Sequence, residues 1–185
     1  MSLALGRVGE AEGAAREIEA SRKLIASQER TRIATTTLGR AEEALKKDDT
    51  LQAVNEFREA TRLEPEWANA HQGLGIALLK QGKLDEAIVE LRQALQLRPD
   101  DYDATYVLGR ALYDKSELDG AIARFGDAIR LRPSSAEAYN SLGLALAKKG
   151  DINGAVSAFK EALEINPRYL EARENLKRAG EAKPD

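Results

Sequence analysis

Apolar residues recur along the chain at the three- and four-residue intervals of an α-helix, in short runs that end at glycine or proline. In residues 68–101 a first run ends before Gly82 and a second ends before Pro99, because proline cannot continue a helix. The apolar positions of the two runs are Leu74, Ala77, Leu78, Leu84, Ala87, Ile88, Leu91, Ala94 and Leu95. The pattern predicts a helix, a tight turn, a second helix and a turn marked by proline.

The same pattern returns every 34 residues, as the prolines Pro65, Pro99, Pro133 and Pro167 show most directly. Two further series keep this interval: Ala53, Ala87, Ala121 and Ala155, and Phe57, Leu91, Phe125 and Phe159. A period of this length is typical of stacked helical units, each of which buries its apolar face against its neighbours. The sequence therefore predicts one array built from the following segments. They are a divergent unit at 34–67, units at 68–101, 102–135 and 136–169, and a capping helix with a tail at 170–185.

Glycines in the interior of the predicted first helices indicate how the units pack. Gly75, Gly109 and Gly143 stand at equivalent positions, where glycine costs about 1 kcal/mol relative to alanine. A cost repeated at one spacing predicts that another helix approaches closely there. Apolar side chains of the second helices, such as Phe125 and Phe159, are expected to fill the space between units.

These residues together resemble the tetratricopeptide repeat family over residues 34–179. Its pattern of a Leu-Gly pair, A-x₃-F and a proline is matched by Leu74-Gly75, Leu108-Gly109, Leu142-Gly143, Ala87/Leu91, Ala121/Phe125 and Ala155/Phe159. The leading aromatic is replaced by His71, Thr105 and Tyr139, and the later tyrosine by Leu78, Leu112 and Leu146. The resemblance implies an all-α fold, a right-handed solenoid of antiparallel helix pairs with about four repeats and a C-terminal capping helix.

The amino-terminal segment differs from the repeats. Residues 6–11 are similar to the turn and second-helix start at 82–87, so residues 1–33 are expected to end a preceding repeat. The chain contains no proline before Pro65, and we therefore predict one long helix from about residue 9 to residue 47.

An alternative to the long helix is a break within residues 27–32, where apolar residues lapse, or at 35–37, where three threonines weaken a helix. Because the pattern starts in the middle of a repeat, we expect the chain to be a fragment of a longer protein. The absence of a signal peptide then carries no information on compartment, and a cytoplasmic location is only the default expectation.

The charge balance narrows the class of partner. The formal net charge is −3, and the four units carry −3, −1, 0 and 0 in chain order, so none is basic. Nucleic acids and membrane surfaces, which require a positive patch, are therefore not expected as partners.

Residues able to support chemistry are scarce. The chain has no cysteine and one histidine, and it contains no glycine-rich phosphate loop. We therefore expect no metal site, no cofactor and no enzymatic activity. His71, at the aromatic position of its unit, and Trp67, in the turn before a helix, are both interpreted as packing residues.

The resemblance implies a concave groove, lined by the first helix of each pair, that binds an extended peptide or a partner helix. The groove residues carried over from the pattern are Gln72, Ile76, Leu79, Asp103, Tyr106, Val107, Arg110, Tyr113, Asn140, Ser141, Leu144 and Lys148. Tyr106, Arg110, Tyr113 and Asn140 are expected to be the anchors, since aromatic residues beside an arginine favour binding hot spots. Their alternative role is that of a merely hydrated inner surface.

One subclass of the family holds a C-terminal carboxylate with lysines, asparagines and an arginine. The corresponding positions here carry Gln72, Ile76, Val107, Glu137 and Ser141, so no such carboxylate clamp is expected.

Three functional hypotheses remain open from the sequence. The first is a scaffold that binds another protein or a peptide in the groove. The second is self-assembly into a homo-oligomer through the amino-terminal helix, motivated by Ile18 and Ile25 on one stripe, or through an open repeat face. The third is a non-catalytic arm of a larger multidomain protein.

Overall fold

The computed structural model describes residues 2–181, with side chains from residue 13 onward. Within this part the chain forms nine α-helices and no strand. They are α1 Ser2–Lys46, α2 Thr50–Leu63, α3 Ala68–Lys80, α4 Leu84–Leu97, α5 Tyr102–Asp114, α6 Leu118–Leu131, α7 Ala136–Lys149, α8 Ile152–Ile165 and α9 Leu170–Glu181. The predicted tail at 182–185 lies outside the described residues.

Local sequence signals account for the helix ends. The side chains of Asp101, Ser135 and Asp151 each accept a hydrogen bond from the backbone amide three residues later, which caps α5, α7 and α8. Gly150 ends α7 with φ of 98°, a left-handed conformation that glycine adopts without steric cost.

The helices form two layers. Each helix packs against the next one in the chain, and α1, α3, α5, α7 and α9 also contact one another in sequence. Among the described residues, no comparable contact joins the even-numbered helices, so these lie farther apart. The odd-numbered helices therefore form the concave inner layer of a solenoid, and the even-numbered helices form its outer layer. The all-α solenoid expected from the sequence is confirmed.

The interior glycines lie where the two helices of a pair come closest. A Cβ atom added to Gly109 would stand 2.8 Å from Phe125, and one added to Gly143 would stand 2.5 Å from Phe159. The close approach predicted for these glycines is confirmed, although it lies within a unit. A close contact between the first two units is made by Phe57, whose ring would overlap a Cβ at Gly73, and this second glycine was missed.

Helix α1 is continuous from residue 2 to residue 46, so the long amino-terminal helix is confirmed and neither alternative break occurs. Its carboxyl-terminal part buries Ala34, Thr37, Ala41 and Ala44. By contrast, every residue from 13 to 33 is exposed. The solenoid thus carries a helical extension that it does not cover.

Helix α9 closes the carboxyl end of the described array. Ala172 and Ala179 are buried against the preceding helices, and Leu176 is half-buried. Lys177 occupies the position equivalent to Gly75, and 77% of its side chain is exposed. The capping role of α9 stays a prediction. The unit boundaries themselves stay a proposed division of the chain.

None of the described helices is both long enough and apolar enough to cross a membrane. Likewise, the part of the chain with described side chains contains no group of three metal-ligating residues arranged to hold an ion.

Candidate interaction surface

The structure places the predicted groove residues on the inner helices α3, α5 and α7, whose concave side is the candidate surface. Half-buried apolar side chains form its floor, and these are Ile76, Leu79, Val107 and Leu144. Leu79 packs against the cores of two successive units, and Val107 packs against the second of them. The floor is therefore anchored in the core while part of each side chain remains accessible.

Arg110 lies at the middle of this surface, on α5. It is exposed, and no carboxylate or hydrogen-bond acceptor among the residues with described side chains contacts its guanidinium. One helical turn to either side stand Tyr106 and Tyr113, while the equivalent positions of α3 and α7 hold Ile76 and Leu144. Arg110 is thus an unpaired cation surrounded by aromatic and aliphatic side chains.

Tyr106 is more constrained than the sequence suggested. Its ring stacks on Tyr102 at 6.0 Å between centroids and packs at a tilt against Phe125 at 5.8 Å. Its hydroxyl lies 3.0 Å from the Ser141 hydroxyl on α7. The Tyr106 ring is therefore a fixed part of the groove wall, with little freedom to rearrange around a ligand.

Lys148, on the neighbouring inner helix α7, packs against the ring of Tyr113. The Nζ atom of Lys148 lies 4.6 Å from the centre of the Tyr113 ring, within cation–π distance. The same ammonium donates to Ser116 Oγ at 3.0 Å. Lys148 consequently covers one face of the half-buried Tyr113 ring.

Asn140 differs from the expectation that it would be a groove anchor, because it is only 6% exposed. Its Oδ1 accepts a hydrogen bond of 3.0 Å from Asn175 Nδ2 on α9. The capping helix therefore covers this amide, and we remove Asn140 from the set of anchors.

Polar links between neighbouring inner helices share one spacing that the sequence analysis overlooked. Tyr106–Ser141, Lys148–Tyr113 carbonyl and Asn140–Asn175 are all 35 residues apart. Residues 34 apart are equivalent in the repeat. The residues that hydrogen-bond between neighbouring inner helices in these three links are instead 35 residues apart. Polar pairs at 35 residues are the signal by which these contacts could have been found.

A further cluster at the amino end of α5 was also missed. The guanidinium of Arg132 lies 3.6 Å above the Tyr102 ring, and the Tyr102 hydroxyl is 2.7 Å from Ser135 Oγ. Burial raises the pKa of Tyr102, and burial together with the nearby Tyr106 phenol raises the pKa of Tyr169. Tyr102 and Tyr169 are therefore both neutral, and each adds a polar aromatic side chain beside the groove.

The remaining exposed residues give the surface two differently charged edges. Asp103 and Glu137 stand at the amino ends of α5 and α7, and Lys80 and Lys148 stand at the carboxyl ends of α3 and α7. Gln72 is half-buried between these edges. Acidic groups at helix amino ends and basic groups at carboxyl ends agree with the helix dipole, with Asp114, the last residue of α5, as an exception.

His71 lies away from this surface and joins α3 to α4. Its Nδ1 atom is 2.7 Å from Glu90 Oε2, and its Nε2 atom is 3.0 Å from the Pro65 carbonyl oxygen. Both partners are acceptors, so a protonated ring donates to both, and the hydrogen bond to Glu90 is the main cause of the raised pKa of His71. His71 thus packs as expected, with a partner that the sequence did not indicate. Trp67 is half-buried in the turn before α3.

Solved structures of similar fold share most of their length with this chain. A crystal structure of MamA superposes with a TM-score of 0.77 at 24% sequence identity, covering 82% of each chain. YrrB superposes with a TM-score of 0.74 at 25% identity, covering 80% of this chain and 76% of that one. MamA from Desulfovibrio magneticus RS-1 gives a TM-score of 0.73 at 22% identity, with 80% and 90% covered. These likenesses establish the solenoid fold.

Sequence comparison gives the family. Profiles described as tetratricopeptide repeat match residues 38–102, 74–125 and 136–169, and one described as TPR repeat matches 109–150. A search of curated protein sequences found no match. The profile matches span both layers of the solenoid and every helix of the inner surface from α3 to α7. The chain therefore belongs to the tetratricopeptide repeat family.

Proposed function

We propose that this protein is a non-catalytic scaffold that binds a peptide segment of another protein on the concave surface of α3, α5 and α7. The observation that carries the proposal is the position of Arg110, an exposed and unpaired cation among half-buried apolar and aromatic side chains. Arginine and tyrosine in such surroundings supply much of the binding energy at protein interfaces.

The composition of the surface supports a peptide as the ligand. Its apolar floor is already ordered by contact with the core, so little conformational entropy is lost when it is covered. YrrB, one of the proteins of similar fold, is described as a TPR protein with an unusual peptide-binding site. A preformed, partly apolar groove is the kind of surface that an extended segment can fill.

Recognition of a free C-terminal carboxylate is not part of the proposal. The clamp positions carry Ile76 and Val107, which are half-buried and apolar, and Glu137, which would repel a carboxylate. We expect binding to an internal segment, so amidation of a peptide's carboxyl terminus should leave its affinity unchanged.

The test is selection from a library of random linear peptides, with the wild type compared with Arg110→Glu/Tyr113→Ala. Lys160→Glu provides a matched control, because it reverses an exposed charge on the outer helix α8. We expect the wild type and the control to enrich related peptides and the double variant to lose them, while all three keep the same helicity by circular dichroism. Equal enrichment by the double variant, or no enrichment by the wild type, would contradict the proposal.

A second candidate function is self-assembly through the amino-terminal extension of α1. Ile18 is 54% exposed and Ile25 is 65% exposed, and they are two helical turns apart on one face. The described contacts of the extension with the solenoid are those of Arg30 and Thr31 with Glu64, near its carboxyl end. A helix with so few tertiary contacts is only marginally stable in water, so pairing with a second copy would stabilise this segment.

Light scattering over a range of protein concentrations tests this candidate. We expect the mass of the wild type to rise with concentration and that of Ile18→Lys/Ile25→Lys to stay at the monomer value. Leu51→Lys on α2 is a suitable control, because Leu51 is 69% exposed but lies outside the extension. A wild-type protein that remains monomeric at high concentration rules out self-assembly.

A further inference from the structure

Arg110 forms no ion pair among the residues with described side chains, although two aspartates stand on the same helix. Asp114 follows it by one helical turn and Asp103 precedes it by two turns, yet neither forms an ion pair with it. Glu137 on α7 accepts its hydrogen bond from Ser135 instead. The guanidinium is thus available to a group that arrives from outside the protein.

The surroundings of Arg110 favour a carboxylate as that group. A guanidinium binds a carboxylate through two parallel hydrogen bonds. Such a pair is worth little on an open surface. Next to the aliphatic side chains of Ile76 and Leu144, with Tyr106 and Tyr113 on the same helix, a bound peptide would exclude water from the pair and strengthen it.

The geometry of the inner layer also fixes a spacing. Ile76, Arg110 and Leu144 are equivalent positions on adjacent helices that contact each other in sequence. Packed helices lie about 8–10 Å apart, and an extended chain advances about 3.3 Å per residue. An extended peptide that crosses the inner helices therefore passes one helix about every three residues.

We propose that the bound segment is an extended peptide with an aspartate or glutamate that pairs with Arg110. It carries apolar residues about three positions before and after the acid, and these contact Ile76 and Leu144. This inference rests on the proposed function and specifies its ligand. A partner helix, which advances about 1.5 Å per residue, would instead place the apolar residues about six or seven positions from the acid.

The experiment uses the peptides enriched by the wild-type protein in the library selection. Each peptide is synthesised with alanine and with lysine at every position in turn, and affinities are measured by fluorescence anisotropy. The proteins are the wild type, Arg110→Glu and the outer-surface control Lys160→Glu.

We expect the enriched sequences to share an acidic position flanked by apolar residues three positions away. Replacement of the acid by alanine should weaken binding to the wild type and to the control by about tenfold or more. Replacement of the acid by lysine should weaken binding to both but improve binding to Arg110→Glu, because the charges are then exchanged. Restored affinity in this pair is a result that misfolding cannot produce.

Two results would overturn the inference while leaving the proposed function intact. One is enrichment of peptides without a shared acid, or with an acid whose replacement affects wild type and Arg110→Glu equally. The other is a helical spacing between the acid and the apolar residues. Failure of the wild type to enrich any peptide would instead contradict the proposed function itself.

Discussion

The two parts of helix α1 have similar composition and very different surroundings. Residues 34–46 pack against α2 and bury Ala34, Ala41 and Ala44, whereas residues 13–33 are exposed throughout. The exposed part is also rich in alanine, at positions 14, 15, 20 and 26. Helix propensity does not explain the difference, because the packed part contains three threonines and Gly39, which weaken a helix. What differs is whether a neighbouring helix is present to cover the alanines. The packed part is the part that α2, a helix of 14 residues, can cover, so the length of the neighbouring helix sets where the packing of α1 begins.

The largest effect is expected from a charge placed in the packed part. Ala41→Glu introduces a carboxylate at a site that is 0% exposed, so it should destabilise the fold by about 3 kcal/mol or more through overpacking and burial of a charge. Urea unfolding followed by circular dichroism measures the change.

Ala26→Glu is the matched control in the exposed part of the same helix. Its effect on the global unfolding transition should stay within about 0.5 kcal/mol, as for most surface substitutions. Equal destabilisation by the two variants would show that residues 13–33 are packed in solution, either in an oligomer or in a different arrangement of the chain.

A smaller effect is expected from adding one methyl group at two glycines. Gly109→Ala should destabilise the fold by about 1–3 kcal/mol, because the new Cβ would stand 2.8 Å from the buried ring of Phe125. Gly39→Ala on α1 meets nothing within 4 Å and should stabilise the fold by about 0.5–1 kcal/mol through helix propensity. Thermal unfolding of the two variants beside the wild type measures both signs.

Gly13→Ala sharpens the comparison, since this site is also open but lies in the unpacked part of α1. We expect it to raise helical content without moving the global transition. If Gly109→Ala were as stable as the wild type, the tight pairing of α5 with α6 would be incorrect.

The smallest expected effect is a pH dependence of the free energy of unfolding. It compares the partly buried His71–Glu90 pair with the exposed Lys23–Glu19 pair. The folded-state pKa of His71 is raised above its ordinary value of 6.5, mainly by Glu90, so the protonated ring stabilises the fold. This contribution is complete below the ordinary pKa and is lost as the pH rises through the raised value. We expect the free energy of unfolding to fall by about 1 kcal/mol between about pH 6 and pH 8, since hydrogen bonds to charged groups are of this order when partly buried.

His71→Gln should remove this pH dependence, because glutamine does not titrate. Unfolding by urea at a series of pH values checks it, with Lys23→Gln as the control, since the Lys23–Glu19 pair on the extension is solvent-exposed. A wild-type stability that rises between these pH values would show that His71 is neutral in the folded protein.

The sequence predicted the outer layer better than the inner surface. The prolines and the series of Ala121 and Phe125 locate each second helix, because these residues act within their own unit and recur with it. The long α1 also followed from local reasoning, since no proline interrupts it. The 34-residue period is therefore sufficient to predict a structural feature that depends on one unit alone.

The state of the groove residues depends on pairs of units and was not predictable in the same way. Asn140 is covered because α9 supplies Asn175, and Tyr106 is fixed because α7 supplies Ser141. Neither partner belongs to the repeat pattern, and each reaches across at the 35-residue offset. Among the four expected anchors, Arg110 is the one that is exposed, because no described residue of a neighbouring unit offers it an acceptor.

The hydrogen bonds between residues 35 apart join some neighbouring inner helices more firmly than others. They tie α5 to α7 and α7 to α9, whereas the side chains described for α3 and α5 are joined by apolar contact without a hydrogen bond or ion pair. Apolar contacts are non-directional, so helices joined only by them shift relative to one another more easily than helices joined by hydrogen bonds. The inner layer should therefore yield most easily between α3 and α5, although the Lys115–Asp85 ion pair still joins the end of α5 to the outer helix α4. A ligand that contacts both α3 and α5 would fix the distance between these helices as it binds.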